Sequence, residues 1–319
     1  MNRHEFLKAL AAATASLLVP PGAWSDQPPG PKTFTFKNAG GCELKLDVYG
    51  SDPQVRKPVM VTIHGGALIM GSRKGRPSKW MNPEGEYAVI SIDYRLAPET
   101  KLPGIIADVQ DAFRWIHKHG ARLLNLDTER LIVTGGSAGG YLTLMTGYCV
   151  QPRPKGLISV SGFGDLLADW FTHPSGFAVK QPPISREEAY ASVGTACLTE
   201  PPRGNQRGKF FVYCRQNGLW PKEISGHDPL TEPQWFKRYC PVQNITGQYP
   251  PTVVIHGTAD NDVLYDAAVK MDAALARGKV RHKLVTIAGG GHTFGGSSPR
   301  EIARIFAEAL AFVKENMRA

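Results

Sequence analysis

Gly135-Gly136-Ser137-Ala138-Gly139 sets a hydroxyl at the centre of a G-x-S-x-G pattern, after one apolar run and before a helical one. A serine becomes a useful nucleophile when a nearby base takes its proton and fixed donors hold the resulting oxyanion. The small neighbours suit that task. A strand turning abruptly into a helix would clash with larger side chains, and the helix N-terminus presents unpaired N–H groups to the developing charge. The rival reading is a glycine-rich turn that binds phosphate or simply turns. The dinucleotide pattern G-x-G-x-x-G fails because Ser137 occupies its middle position, and no P-loop occurs. No cofactor and no metal are expected.

A tetrahedral intermediate needs two or three donors at its oxygen. His64-Gly65-Gly66-Ala67 follows the apolar run 59–63 and can supply bare backbone amides. The expected donors are the N–H groups of Gly66, Ala67 and Ala138, with Gly65 lending flexibility to the loop. His64 reads as a residue that holds this loop. A base and an orienting acid should follow the nucleophile in the order Ser, Asp/Glu, His. Asp260 lies in a turn after the run 252–256, and His292 follows Gly289-Gly290-Gly291 after the next apolar run. Asp262, in the same turn, is the rival acid. His117 and His119 are two apart on a helical stretch and point to different sides. Trp170, Trp220 and Trp235 could line an acyl pocket, though packing is the commoner role for such residues.

The elements that must carry these residues alternate. Residues 33–38 and 43–49 read as a hairpin around Gly40-Gly41; 59–63, 88–92, 131–134, 157–161, 252–256 and 282–287 read as strands, mostly buried and parallel. Ile105, Val109, Ala112, Phe113 and Ile116 repeat at helical spacing, as do Ile302, Ile305, Phe306, Ala309, Leu310 and Val313, and helices are expected over 138–149 and 265–277. Strands alternating with helices imply a mostly parallel α/β sheet covered on both faces. Residues 162–248 break the alternation, rich in Pro, Gly, Trp and His, and read as a cap inserted into one domain spanning 26–319.

The chain of 319 residues carries a net charge of +9, but its basic residues are scattered and form no stripe interleaved with aromatics, so nucleic acid is not an expected partner. Arg3 and Lys8, the apolar run 9–19, the break at Pro20-Pro21-Gly22 and the small residues around Ala23-Trp24-Ser25 have the layout of a secretory signal peptide over 1–25. That run is too short for stable membrane insertion, and residues 2–8 resemble a twin-arginine signal with His4 in place of the second arginine. An exported, periplasmic or extracellular protein is expected. Of five cysteines, Cys197, Cys214 and Cys240 fall within 44 residues (197–240), and an exported chain could bridge two of them; Cys42 and Cys149 complete the set, and the pairing stays open.

Together these residues resemble the hormone-sensitive-lipase-like branch of the α/β-hydrolase esterases. The resemblance is carried by His64-Gly65-Gly66, Gly71-Ser72, Tyr94-Arg95-Leu96-Ala97-Pro98-Glu99, Leu102-Pro103, Asp108, Ala112, Trp115, the stretch 135–140, His256-Gly257, Asp260, Val263 and Gly291-His292. It implies an α/β-hydrolase fold with a mostly parallel, eight-stranded sheet, helices on both faces and an inserted cap. It also implies a Ser137–His292–Asp260 triad hydrolysing short- to medium-chain acyl esters. Gly136 departs from the family where an acidic residue usually precedes the serine, and Ala67 replaces a third glycine while keeping its N–H. The N-terminal segment is short for the branch, which suggests that half of the usual cap is missing. Amide or peptide cleavage on the same fold is one alternative, and a non-catalytic binding module another. Export makes acetylated polysaccharide an expected source of substrate beside small esters.

Overall fold

Alternating residues form β1 (Lys32–Ala39) and β2 (Cys42–Tyr49), and the remaining strands are β3 (Lys57–Ile63), β4 (Ala88–Ile92), β5 (Leu126–Gly136), β6 (Gly156–Val160), β7 (Thr252–Gly257) and β8 (His282–Ile287), with β3, β4 and β7 richest in β-branched residues. In this computed structural model, which describes residues 30–75, 82, 85–202, 204, 206–295 and 297–315, they make one eight-stranded sheet in the order β1-β2-β4-β3-β5-β6-β7-β8. The expected signal peptide, 1–25, lies outside the described residues. The β1–β2 and β2–β4 pairs are antiparallel and every other pair is parallel. β5 starts earlier than the apolar run 131–134 suggests. Its polar opening, Leu126-Asp127, pairs with Lys57-Pro58 across a register shift, and Arg130 bonds Asp127 there at 2.6 Å.

The helices are α1 (Leu102–Leu124), α2 (Ala138–Cys149), α3 (Asp169–Thr172), α4 (Arg186–Tyr190), α5 (Arg207–Gln216), α6 (Trp220–Ser225), α7 (Pro233–Phe236), α8 (Asp266–Arg277) and α9 (Pro299–Lys314). Pro103 in the first turn of α1 replaces an N–H that would go unpaired, and Asn125 ends the helix in the left-handed region at φ 52°. Side chains alternate across the sheet, so two cores form. Val59, Val61 and Ile63 pack with Ile105, Val109, Phe113, Leu142 and Met271 of α1, α2 and α8. Met60, Ile132, Ile158, Val253 and Ile255 pack beneath Ile305, Phe306, Leu310 and Val313 of α9. Each such side chain contributes about 1.5–3 kcal/mol by leaving water, so the apolar stripe fixes α9 to its face.

Between β6 and β7 the chain leaves the sheet through α3–α7 and three single 3₁₀ turns (Ala178–Lys180, Lys237–Tyr239 and Pro241–Gln243). This excursion is fastened to the sheet at named points. Arg207 pairs with Glu99 at 2.6 Å, with exposures of only 2% and 0%, and also donates to the Ala97 carbonyl. The cysteine pairing that the sequence leaves open is resolved here: Cys197 is bonded to Cys42, 155 positions away. The Leu96 amide donates to the Leu198 carbonyl at 2.8 Å, which seats Cys197 over the β1–β2 turn. Cys214 and Cys240 are buried apart from it as free thiols, and Cys149 is also free.

Candidate active site

Ser137 stands where β5 ends and α2 begins, at φ 56° and ψ −122°, a conformation that a non-glycine residue holds only under constraint from its surroundings. The constraint is visible. Its amide donates to the Val160 carbonyl at 2.8 Å, and its carbonyl accepts from Tyr141 at 3.0 Å. Gly139 permits the turn to lie flat on β3, since a Cβ there would come within 2.1 Å of the Ile63 carbonyl oxygen. Gly136 is different: a Cβ would meet nothing nearer than the Val160 oxygen at 3.9 Å, so packing does not dictate the missing acidic residue.

The loop after β3 is held from several sides. The His64 ring stacks on Tyr94 with centroids 4.1 Å apart, and its Nδ1–H donates to the Gly65 carbonyl at 2.8 Å. Burial pushes its pKa down to about 4, so it is neutral, as suits a loop holder. The Tyr94 hydroxyl donates to the His64 carbonyl at 3.0 Å. Gly66 sits at φ 105°, and its carbonyl accepts from the amides of Ile69 and Met70, both at 2.9 Å. Carbonyl and N–H point oppositely across a trans peptide, so this anchor turns the Ala67 N–H away from the loop interior. Ala67 and Leu68 follow in the left-handed region at φ 55° and 63°. Ala138 opens α2 directly beside Ser137, with its N–H at the helix start.

Asp260 and His292 meet across two loops: the His292 Nδ1–H donates to Asp260 Oδ2 at 2.7 Å, which leaves Nε2 as the basic nitrogen. Asp260 Oδ1 accepts from the amides of Asp262 and Val263, each at 3.0 Å. His256, fully buried at the end of β7, also turns Nε2 toward Asp260 Oδ2 at 3.1 Å while donating to the Val263 carbonyl. Burial disfavours the Asp260 charge, but the His256 and His292 contacts outweigh it and bring the carboxyl down to about 2. Burial likewise opposes protonation of His292, and the Asp260 bond with the charges of Asp262 and Asp260 outweighs that, so its pKa is raised. The imidazole loop is tied to Ser137 through β6: the Ser161 hydroxyl donates to the His292 carbonyl at 3.0 Å, one residue beyond Val160, which receives the Ser137 amide. Among the described residues no hydrogen bond joins the Ser137 hydroxyl to His292, a bond that commonly tightens only with substrate bound.

The excursion reaches both sides of this centre. The Trp220 Nε1–H donates to the Ala67 carbonyl at 2.9 Å, and Trp220 stacks on Phe171 at 4.4 Å. On the acid side, Arg215 of α5 donates to the Asp262 carbonyl at 3.0 Å while its guanidinium lies over the rings of Trp170, Phe171 and Phe211. Trp235 instead stacks on His227 at 4.1 Å. The roles of His256, Ser161 and Arg215 were missed in the sequence. For His256 a signal existed, a histidine at a strand end four residues before the acid. Arg215 and Ser161 act across 47 and 131 positions and left none. Among the described residues, no group of three or more His, Cys, Asp and Glu side chains is placed to hold a metal ion.

A sheet of this order with a strand–Ser137–helix elbow beneath a glycine loop defines an α/β hydrolase. A family model described as alpha/beta hydrolase fold matches residues 60–295, and the chain belongs to that family, the hormone-sensitive-lipase-like carboxylesterases. Among curated proteins, non-reducing polyketide synthase Preu6 of Preussia isomera is 27% identical over 82% of this chain and 14% of its own length. Non-reducing polyketide synthase pkbA of Emericella nidulans is 30% identical over 82% of this chain and 13% of its own length. The chain thus spans about one seventh of these relatives. A Staphylococcus aureus protein of unknown function superposes with TM-score 0.74 at 21% identity, covering 90% of this chain and 99% of that one. A thermophilic esterase from the Planctomycetes species Thermogutta terrifontis, propionate-bound, gives TM-score 0.60 at 21% identity, covering 90% and 94%. These likenesses show the fold.

Proposed function

We propose that the protein is a serine carboxylesterase that hydrolyses short- to medium-chain acyl esters through an acyl-enzyme. The bond from His292 Nδ1 to Asp260 Oδ2, 2.7 Å, carries the reading, because it orients a basic Nε2 on a loop tied to the nucleophile's own strand neighbour. Ser137 Oγ attacks the ester carbonyl carbon while its proton passes to His292 Nε2. The N–H groups of Gly66, Ala67 and Ala138 hold the oxyanion, and Gly65 gives the loop room to turn. The alkoxide leaves with the proton from His292; water then repeats the sequence on the acyl-enzyme and releases the acid. Asp260, kept ionised against its burial by His256 and His292, stabilises the imidazolium.

The substrate is a small ester, acetate to hexanoate, and acetylated polysaccharide is its expected natural source. Two observations support export: the layout of residues 1–25, and the Cys42–Cys197 disulfide, a bond that persists in oxidising compartments. Among the described residues no helix is long and apolar enough to cross a membrane. A fluorophosphonate probe tests the centre directly. Labelling should fall on Ser137 and be blocked by a p-nitrophenyl ester; a folded protein that takes up no probe and turns over no ester is not a serine esterase. Mass measurement of the secreted chain tests export, with a mature start near residue 26 expected.

A further inference from the structure

Trp220 belongs to the excursion, 153 positions from the loop it touches, yet it is 1% exposed and its Nε1–H ends on the Ala67 carbonyl at 2.9 Å. That carbonyl belongs to the peptide following the Ala67 amide. The peptide before it is held by the Gly66 carbonyl, which accepts from Ile69 and Met70. The two peptide planes flanking the Ala67 Cα are therefore each fixed by a hydrogen bond, one from within the loop and one from Trp220. Ala67 needs both. At φ 55°, followed by Leu68 at 63°, it lies where an L side chain costs about 1–3 kcal/mol, and it would relax if one plane were released. The indole is itself immobilised. It stacks on Phe171 at 4.4 Å and meets Phe163 edge-on at 5.6 Å, and Phe163 stacks at 5.0 Å on Tyr141, in the first turn of the helix behind Ser137.

We infer that Trp220 is a positioning residue for the oxyanion hole: its indole N–H fixes the Ala67 peptide so that the neighbouring Ala67 N–H faces the oxygen of the tetrahedral intermediate. The inference rests on the esterase reading above and extends it, because part of the excursion then acts on the transition state without touching substrate. An aromatic residue that merely packed there would need no N–H. Donor and ring can be separated by experiment.

Trp220→Phe keeps an aromatic ring against Phe171 and removes the donor; a benzothienylalanine residue at the same position keeps the bicyclic shape and replaces N–H by sulfur. Either is compared with wild type in kcat and KM for p-nitrophenyl butyrate, in affinity for a trifluoromethyl ketone, and in thermal midpoint. The ketone reports on the hole because Ser137 Oγ adds to its carbonyl carbon, the proton passes to His292, and the former carbonyl oxygen becomes an anion held by the same N–H groups. A misplaced donor should lower kcat by about 10-fold to 100-fold with KM within about twofold, and weaken the ketone by a similar factor. Unchanged kcat and ketone affinity, a rise in KM alone, or a loss of thermal midpoint alone overturns the inference while the esterase reading stands. Should the phenylalanine variant not fold, the isosteric residue decides by the same measures. A wild-type protein that neither turns over esters nor labels at Ser137 overturns the esterase reading, and this inference with it.

Discussion

Asp262 Oδ2 stands 3.9 Å from His292 Nε2, whereas Asp260 Oδ2 stands 2.7 Å from Nδ1, so the imidazole has a carboxylate at each nitrogen. The two acids differ in kind. Asp260 is hydrogen-bonded on all sides and orients the ring. Asp262 makes no such bond to it and acts on Nε2 through charge alone. Asp260→Asn should lower kcat by about 10⁴-fold, because amidation removes the anionic partner and permits the wrong tautomer. Asp262→Asn should cost less than tenfold, about 1.4 kcal/mol of barrier. Steady-state kinetics on both variants decides, and the reverse ranking would make Asp262 the acid.

The same geometry sets the pH profile. The raised His292 pKa means that Nε2 takes up its proton above the ordinary histidine value of about 6.5. A protonated base cannot accept from Ser137, so kcat/KM should fall as pH drops through a point above about 6.5 and be nearly flat on the alkaline side. Removing the Asp262 charge takes away one cause of the rise, so Asp262→Asn should move that limb to lower pH. A limb that stays in place in this variant contradicts the charge argument.

Ser137→Ala removes the oxygen proposed to attack the ester. It should cut kcat by about 10⁴-fold or more with the circular dichroism spectrum unchanged. A variant keeping a tenth of the wild-type rate would mean that another group attacks the ester.

Glu99 and Arg207 form an ion pair that both partners make away from water. Glu99→Gln should destabilise the fold by about 3–5 kcal/mol in urea titrations, because the guanidinium stays buried without its counter-charge. Replacing both partners by apolar residues should restore most of that loss. If the single variant is as stable as wild type, this pair does not fasten the excursion.

Acyl length is the remaining test. Residues 162–248 are rich in Pro, Gly and charged residues, and the longest helix described there, α5, has ten residues, too short a face to enclose a long lipid tail. Each methylene without an apolar wall forgoes about 0.8 kcal/mol, so kcat/KM should peak between C2 and C6 and fall steeply beyond about C8. An optimum at C12 or longer, in a series from C2 to C16, would point to a lipase.

Much of the sheet was legible because its cues are local. Residues 59–63 and 88–92 are short apolar runs rich in β-branched residues, and β3 and β4 lie over them. The meeting of Asp260 with His292 was also legible, since chain order in a doubly covered parallel sheet places both loops at the same strand ends. The start of β5 was not, because Asp127-Thr128-Glu129-Arg130 is polar and its pairing depends on Lys57 and Pro58 far upstream. Nor was the Cys42–Cys197 bridge. Spacing leaves the pairing of five cysteines open, and only the path of residues 161–197 over the hairpin brings this pair together.

The excursion touches the loops of the proposed site on both rims, through Trp220 at Ala67 and through Arg215 at Asp262. Tied at both edges, these described parts of the excursion are braced against swinging as one rigid flap. For the esterase proposed above, such bracing would sort substrates by fit to a standing shape rather than by their power to trigger closure. Residues far from Ser137 in sequence can change its rate by tightening or loosening those ties, while leaving the way in and out as it was.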